Sequence, residues 1–282
     1  MGHLSFSLRL ALEKIRFYRK LGYPCNLKDP KTFNEKVFWR KVYDRNPLFP
    51  VLADKYRSRQ YIRNLIGDQR AEEILVPLYH VTSDPETIPF DNLPSEYMIK
   101  ANHGCGWVLP VKEGMNFRRE KVISRTRQWL RTVFGVSLLE WAYSEVTPLI
   151  MIEKLLQENG KIPWAYKFFV CSGRVVFFLV VQDRFTDLSV LFFDRNMSPV
   201  HVRTNWAQGP GIKKPRRFKE MIRLAEELAQ GLDFLRVDLY NLRGKIYFGE
   251  FTVYPGSATS RYPFEFDLEI GRKWDLPPKG LM

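Results

Sequence analysis

An α+β fold is the class this sequence predicts, and three observations predict it. Helical periodicity is confined to a few separate segments, such as residues 33–43 and 218–230. The second half is rich in strand patterns joined by hairpin signals, at Cys171-Ser172-Gly173-Arg174 and at Leu242-Arg243-Gly244. Strands alternate with only a few helices and include antiparallel pairs, unlike a doubly wound sheet.

Taken in order, residues 6–20 form an amphipathic helix, with Leu8, Ala11, Leu12 and Ile15 on one stripe and Arg9, Arg16 and Lys20 mostly elsewhere. That stripe either docks on the domain or lies on a membrane surface. Thr32 and Glu35 make a capping box before a helix over 33–43. Asn46-Pro47 breaks the chain, and a second helix covers 53–66, stopped by Gly67. Residues 74–81 read as a strand. A loop with Pro85, Pro89 and Pro94 leads to a strand over 97–101, a glycine turn at His103-Gly104-Cys105-Gly106-Trp107, and a strand over 108–111. Residues 118–134 are a helix ended by Gly135, and 149–153 a strand. Strands follow at 165–171, 174–182 and 190–194, then a helix over 218–230 stopped by Gly231. A hairpin over 236–256 precedes a Pro- and charge-rich tail from about Arg261.

The 282 residues suffice for one large domain or two modest ones, and 45% hydrophobic with 15% aromatic residues supports a full core. No apolar run approaches the ~18–20 residues that span a bilayer. Arg9, Glu13 and Lys14 interrupt any signal-peptide core. Three cysteines without CxxC spacing argue against a disulfide framework or zinc site and suit a reducing cytoplasm. The four histidines form no metal-ligand pattern. Residues 1–60 hold 14 Lys/Arg against 5 Asp/Glu, nine of the thirteen net positive charges. A basic segment of this kind implies an acidic partner.

The hairpin carries the strongest chemical signal. A three-residue loop at Leu242-Arg243-Gly244 pairs Asn241 with Lys245, Arg236 with Glu250, and Asp238 with Phe248. Side chains alternate, so Arg236, Asp238, Glu250 and Thr252 share one face. Two acids flanked by a hydroxyl and an arginine fit Mg²⁺ and the phosphates it carries, or an ordinary solvated hairpin face. Lys100, on a strand before a glycine turn, is either a phosphate-holding lysine or part of a generic strand-turn. Glu153 either ends a strand in solvent or opens a hinge whose backbone reads an adenine edge.

The order of these features resembles the TupA-like branch of the ATP-grasp superfamily. The matching text is KTFNEKVFWRKVYDRNPLFPVLADKY, LPSEYMIKANHGCG, YKFFVCSGR, QDRFTD and RVDLYNLRGKIYFGEFTVYPGS, over roughly residues 26–258. The resemblance implies ATP between two α+β subdomains, with Lys55 and Lys100 on its phosphates and the Gly104–Gly106 loop closing over them. It gives the adenine to Glu153 and the backbone through Lys154 and Leu155, with Phe248 on the nucleotide side. It gives Mg²⁺ to Asp238 and Glu250, with Thr252 where many relatives have asparagine. Gly256 offers its N–H to an oxyanion, and Arg236, Lys167 and Arg184 steady the transferred phosphate or an acidic substrate. Ala165 stands where an acid is expected, which leaves the ribose unassigned, with Glu158 a candidate. The implied division is 1–32 basic extension, 33–95 N-terminal subdomain, 96–160 central subdomain and 161–282 C-terminal subdomain.

The implied activity is ATP-dependent carboxylate–amine ligation in the cytoplasm, at or near the inner membrane face, joining an amino acid or amine to a uronic-acid carboxyl of a bacterial surface polysaccharide or capsule. The expected partners are an acidic glycan, an amine and an anionic membrane surface, without nucleic acid. One alternative is a kinase on the same fold with Asp183 or His103 as general base. Another is a non-enzymatic basic module, since Arg, Lys and aromatics interleave through residues 14–61.

Overall fold

The structure, a computed structural model, describes residues 5–115, 118–183, 187–204, 206–207 and 209–278. The first helices are α1 (Phe6–Leu21), α2 (Phe33–Tyr43), α3 (Phe49–Ala53), α4 (Arg57–Ile66) and α5 (Asp68–Ile74). Strands β1 (Leu78–Thr82), β2 (Tyr97–Ala101) and β3 (Val108–Val111) precede α6 (Arg119–Leu130). Then come β4 (Ile150–Lys154), β5 (Ala165–Cys171), β6 (Arg174–Gln182) and β7 (Ser189–Phe193). The chain continues through α7 (Phe218–Leu228), β8 (Phe234–Leu242), β9 (Lys245–Thr252) and α8 (Phe264–Arg272).

Two antiparallel sheets result. The smaller runs β1-β4-β2-β3 and the larger β7-β6-β5-β8-β9. One face of the larger sheet packs on α7 through Phe178 and Phe218, whose ring centroids lie 5.5 Å apart. The other carries Phe169 and Phe234, which meet Phe33 of α2 edge-on at 5.7 and 5.1 Å. Arg40 of α2 is wholly buried there, stacked on Phe49, Phe234 and Trp274 and paired with Asp233 at 2.5 Å. A second, smaller core under β2 and β4 is closed by Val122 and Trp129 of α6.

The capping box at Thr32 and Glu35 forms, and α2 begins and ends where its sequence predicts. The expected helix over 53–66 is broken, because Asp54 is extended and accepts the N–H groups of Tyr56 and Arg57 at 2.8 and 3.2 Å. Gly67, at φ 82°, turns the chain into a further helix, α5, so the strand expected from residue 74 starts only at Leu78. The expected helix over 118–134 stops at Leu130. The tail contains α8, with Glu265 and Asp267 in its first turn, where the helix dipole favours acids.

Of the two alternatives for the apolar stripe of α1, docking on the domain is not what the structure shows. The helix's buried residues are Glu13 and Phe17. Phe17 packs edge-on against Tyr23 at 5.3 Å, and Glu13 pairs with Lys41 and Arg16, each at 2.9 Å. Leaving Lys41 buried without its acid would cost several kcal/mol, more than a few half-buried aliphatics gain. Leu8, Leu12 and Ile15 therefore stay exposed.

Candidate active site

The hairpin forms, but with another register. Leu242 pairs with Lys245, leaving the two-residue turn Arg243-Gly244, with φ of 52° and 97°. Two positive φ values match the strand twist, which is why the two-residue turn displaces the three-residue one. Continued regularly, that register would set Glu250 opposite Val237, on the α7 face. A bulge at Gly249 corrects it: Leu239 pairs with Phe248 and Asp238 with Glu250, while Arg236 faces Thr252. The four residues expected on one face share it, through pairs different from those expected. Gly249 fits the bulge tightly; a Cβ there would lie 3.0 Å from the Asp238 carbonyl oxygen and 3.0 Å from the Tyr240 ring.

Asp238 is the centre of an ion network. Arg236 donates to both its oxygens at 2.7 and 2.8 Å, and Lys167 on β5 donates to one of them. Arg236 also reaches Glu250 at 3.4 Å. Burial and the neighbouring Arg236 charge push the Lys167 ammonium below its usual range. Burial opposes charge on Arg236 too, but Asp238 and Glu250 outweigh it and raise its pKa.

The cleft between the sheets is where the expected residues meet. Lys55, Lys100, Gly106, Glu153, Asp238 and Glu250 all line it, with apolar walls from Val76, Met98, Val108, Ile162 and Phe248. Lys55 donates to the Gly104 carbonyl at 2.5 Å and lies 3.7 Å from Glu250, so it ties the glycine loop to the hairpin. Its backbone is fixed by a bond from its N–H to the Asn102 carbonyl at 3.1 Å. Asn102 in turn donates to Asp54 at 2.9 Å.

Other expected residues sit differently. Gly104 does not line the cleft; Trp107 fills the space where its Cβ would be. Lys100 pairs with Glu153 at 2.5 Å, and Arg59 approaches the same carboxylate at 3.4 Å. Lys154 lines the cleft, but Leu155 turns into the core and Leu156 takes its place on the wall. Glu158 is paired with Arg243 at 2.8 Å. His103 is buried between Asn102 and the Trp129 carbonyl and does not line the cleft, so it is poorly placed as a base. Asp183 is half-buried with a partner. Arg184 lies outside the described residues. Arg40 and Lys41, part of the basic run, are buried in ion pairs and unavailable to a nucleic acid.

Beyond β9, Gly256 lies in the loop Pro255–Ala258, where Gly256, Ser257 and Ala258 have φ of 56°, 51° and 64°. Distant residues hold this conformation. Arg16 donates to the Ser257 carbonyl at 2.9 Å and Lys41 to the same atom at 3.3 Å. Asn34 clamps Ser260, donating to its carbonyl and accepting from its N–H, both at 2.9 Å. Burial pushes Glu140, near Lys41 and Ser257, up to about 7. Sequence reasoning missed Arg16, Asn34, Lys41 and Asn102. The KTFNEK text was the available signal, and its asparagine proves to be the loop clamp.

The donors on the hairpin face are all oxygens, two carboxylates and the Thr252 hydroxyl, which suits a hard cation such as Mg²⁺. Among the described residues no third acidic, cysteine or histidine ligand joins them. A magnesium ion here would complete its shell with water and phosphate oxygens, the usual arrangement for that ion.

Two sheets facing each other across a lysine- and carboxylate-lined cleft define an ATP-grasp protein. The chain belongs to the TupA-like ATP-grasp family, whose model matches residues 35–274. Among solved structures it is similar to D-alanine–D-alanine ligase of Bacillus anthracis, at 16% identity and TM-score 0.45, covering 79% of this chain and 61% of that one. It is similar to the Helicobacter pylori D-alanine–D-alanine ligase, at 16% identity and TM-score 0.42, covering 80% and 62%. It is also similar to phosphoribosylamine–glycine ligase of Thermotoga maritima, at 15% identity and TM-score 0.45, covering 77% and 52%. The chain thus spans between 52% and 62% of the length of these structures. No curated protein matches it.

Proposed function

We propose that this protein is an ATP-dependent carboxylate–amine ligase that attaches an amine or amino acid to the carboxyl of an acidic sugar in surface polysaccharide assembly. One observation carries the reading. Asp238 and Glu250 face each other in a cleft that also presents Lys55 and Lys100, and the loop holding Gly256 follows directly. The net charge of +13 supports an acidic acceptor and peripheral contact with an anionic membrane surface.

The apolar walls would take the adenine, with Lys154 and Leu156 at the hinge. Lys55 and Lys100 would neutralise phosphate oxygens, and Lys100 would leave Glu153 to do so. Asp238, Glu250 and Thr252 would hold Mg²⁺, which when bound neutralises charge on the polyphosphate. Lys167 and Arg236 would then be released from Asp238 toward the transferred phosphate. The acceptor carboxylate oxygen attacks the γ-phosphorus and ADP leaves, converting a poor leaving group into an acyl phosphate. The amine nitrogen attacks the acyl carbon, phosphate leaves, and the amine gives up a proton. The Gly256 N–H would meet the oxyanion of that step.

The test is coupled ADP release with Mg²⁺ across a panel of uronic acids and amino acids. The expected result is release that needs both an acid and an amine, reduced about 10²–10³-fold by Glu250→Gln. ADP release indifferent to every amine would sink the ligase. A product stable to hydroxylamine would point to phosphorylation of a hydroxyl instead.

A further inference from the structure

Helix α1 presents an apolar ridge to solvent on the side opposite its docked residues. Leu8, Leu12 and Ile15, at helical spacing, are 45%, 48% and 49% exposed. They lie about half a turn of the helix away from Phe17. Arg9 and Lys20 flank the ridge on one side and Lys14 with Tyr18 on the other, and Arg19 prolongs it, while Arg16 is turned inward to Glu13 and the Ser257 carbonyl. The only acid on the helix, Glu13, is buried and paired inward with Lys41. The outward face is therefore aliphatic along its crest and positive along both edges.

We infer that α1 docks the protein on an anionic lipid bilayer, lying in the plane of the surface. The ridge would enter the boundary between headgroups and acyl chains, and the basic flanks would snorkel to lipid phosphates. Charge decides the occupant. A second copy laid ridge to ridge would set basic flank against basic flank. The helix is 16 residues long and, among the described residues, no helix is long and apolar enough to cross a membrane. The fold separates the two faces: Glu13 and Phe17 hold α1 to the domain, leaving the ridge outside.

The inference does not rest on the ligase reading, because its test reads binding without turnover. Full-length protein is sedimented with vesicles of 1:1 phosphatidylglycerol and phosphatidylethanolamine, and with vesicles of phosphatidylcholine alone. Binding to the anionic vesicles should exceed that to neutral ones by at least about tenfold and weaken with salt. Leu8→Ser/Leu12→Ser/Ile15→Ser should lower it at least about tenfold with an unchanged unfolding temperature, since all three side chains are exposed. Arg19→Ser/Lys20→Ser should lower anionic-vesicle binding by a smaller factor and leave neutral-vesicle binding unchanged. Equal binding by wild type and the triple variant overturns the inference. So does concentration-dependent dimerisation, in sedimentation velocity, that the triple variant abolishes, because a second copy would then cover the ridge.

Discussion

The β8–β9 hairpin and the loop after it adjoin in sequence and are held by opposite means. The hairpin is local. Its turn, its bulge and its facing carboxylates all lie within residues 234–252, and Lys167 comes from the adjacent strand. The loop Pro255–Ala258 has three consecutive residues at positive φ and depends on Arg16, Asn34 and Lys41, more than 200 positions away. Chemistry that needs two carboxylates at a fixed spacing can be written into a hairpin. A strained loop needs an outside scaffold, because an L-residue at positive φ costs roughly 1–2 kcal/mol.

The largest effect should come from Asp238→Ala. Lys167 and Arg236 would keep their burial and lose their acid, costing about 3 kcal/mol, and turnover should fall to background. Adding Lys167→Met should restore part of the melting temperature and none of the turnover. Full recovery of activity in the double variant would refute the placement of Asp238. The Asn34 amide also donates to Asp267 at 2.7 Å, so Asn34→Ala should next cost about 2 kcal/mol by leaving Ser260 and Asp267 short of partners. Nucleotide binding by calorimetry should persist while amine-dependent turnover drops, since the hairpin is untouched. Equal loss of both would erase the distinction between hairpin and loop.

Much of the fold was legible because hairpins and capped helices are local. β5, β6 and α2 lie where alternation, Gly173 and the Thr32–Glu35 box set them. The candidate hairpin face was legible by parity, although the pairs were wrong, because turn geometry and a bulge trade places without altering which residues share the face. The choice between the two orientations of α1 was not legible, since only the fold reveals that Lys41 is buried and demands Glu13. The pairing of Lys100 with Glu153 and the clamp on Ser260 were hidden for the same reason.

A pH-dependent effect, absent at acid pH, tests the loop alone. Burial raises Glu140 from 4.5 to about 7, so its neutral form favours the fold. That contribution is complete below pH 4.5 and lost as pH rises through about 7. Glu140→Gln should therefore gain on the wild type across that window, by at most about 3 kcal/mol at alkaline pH, in denaturation series at several pH values. A constant difference with pH would remove Glu140 from the loop's support. The smallest effect should be Ala258→Gly, which relieves a positive φ and loses one buried methyl; the two offset to within about 1 kcal/mol.

The bond from Arg16 to Ser257 joins residues 241 positions apart. During synthesis the hairpin can close as soon as its own strands have emerged, but the loop cannot take its final shape before then, however early α1 has formed. Contacts of such long range are also slow to find, because the intervening chain must be ordered first. The hairpin should therefore reach its final shape no later than the loop that follows it.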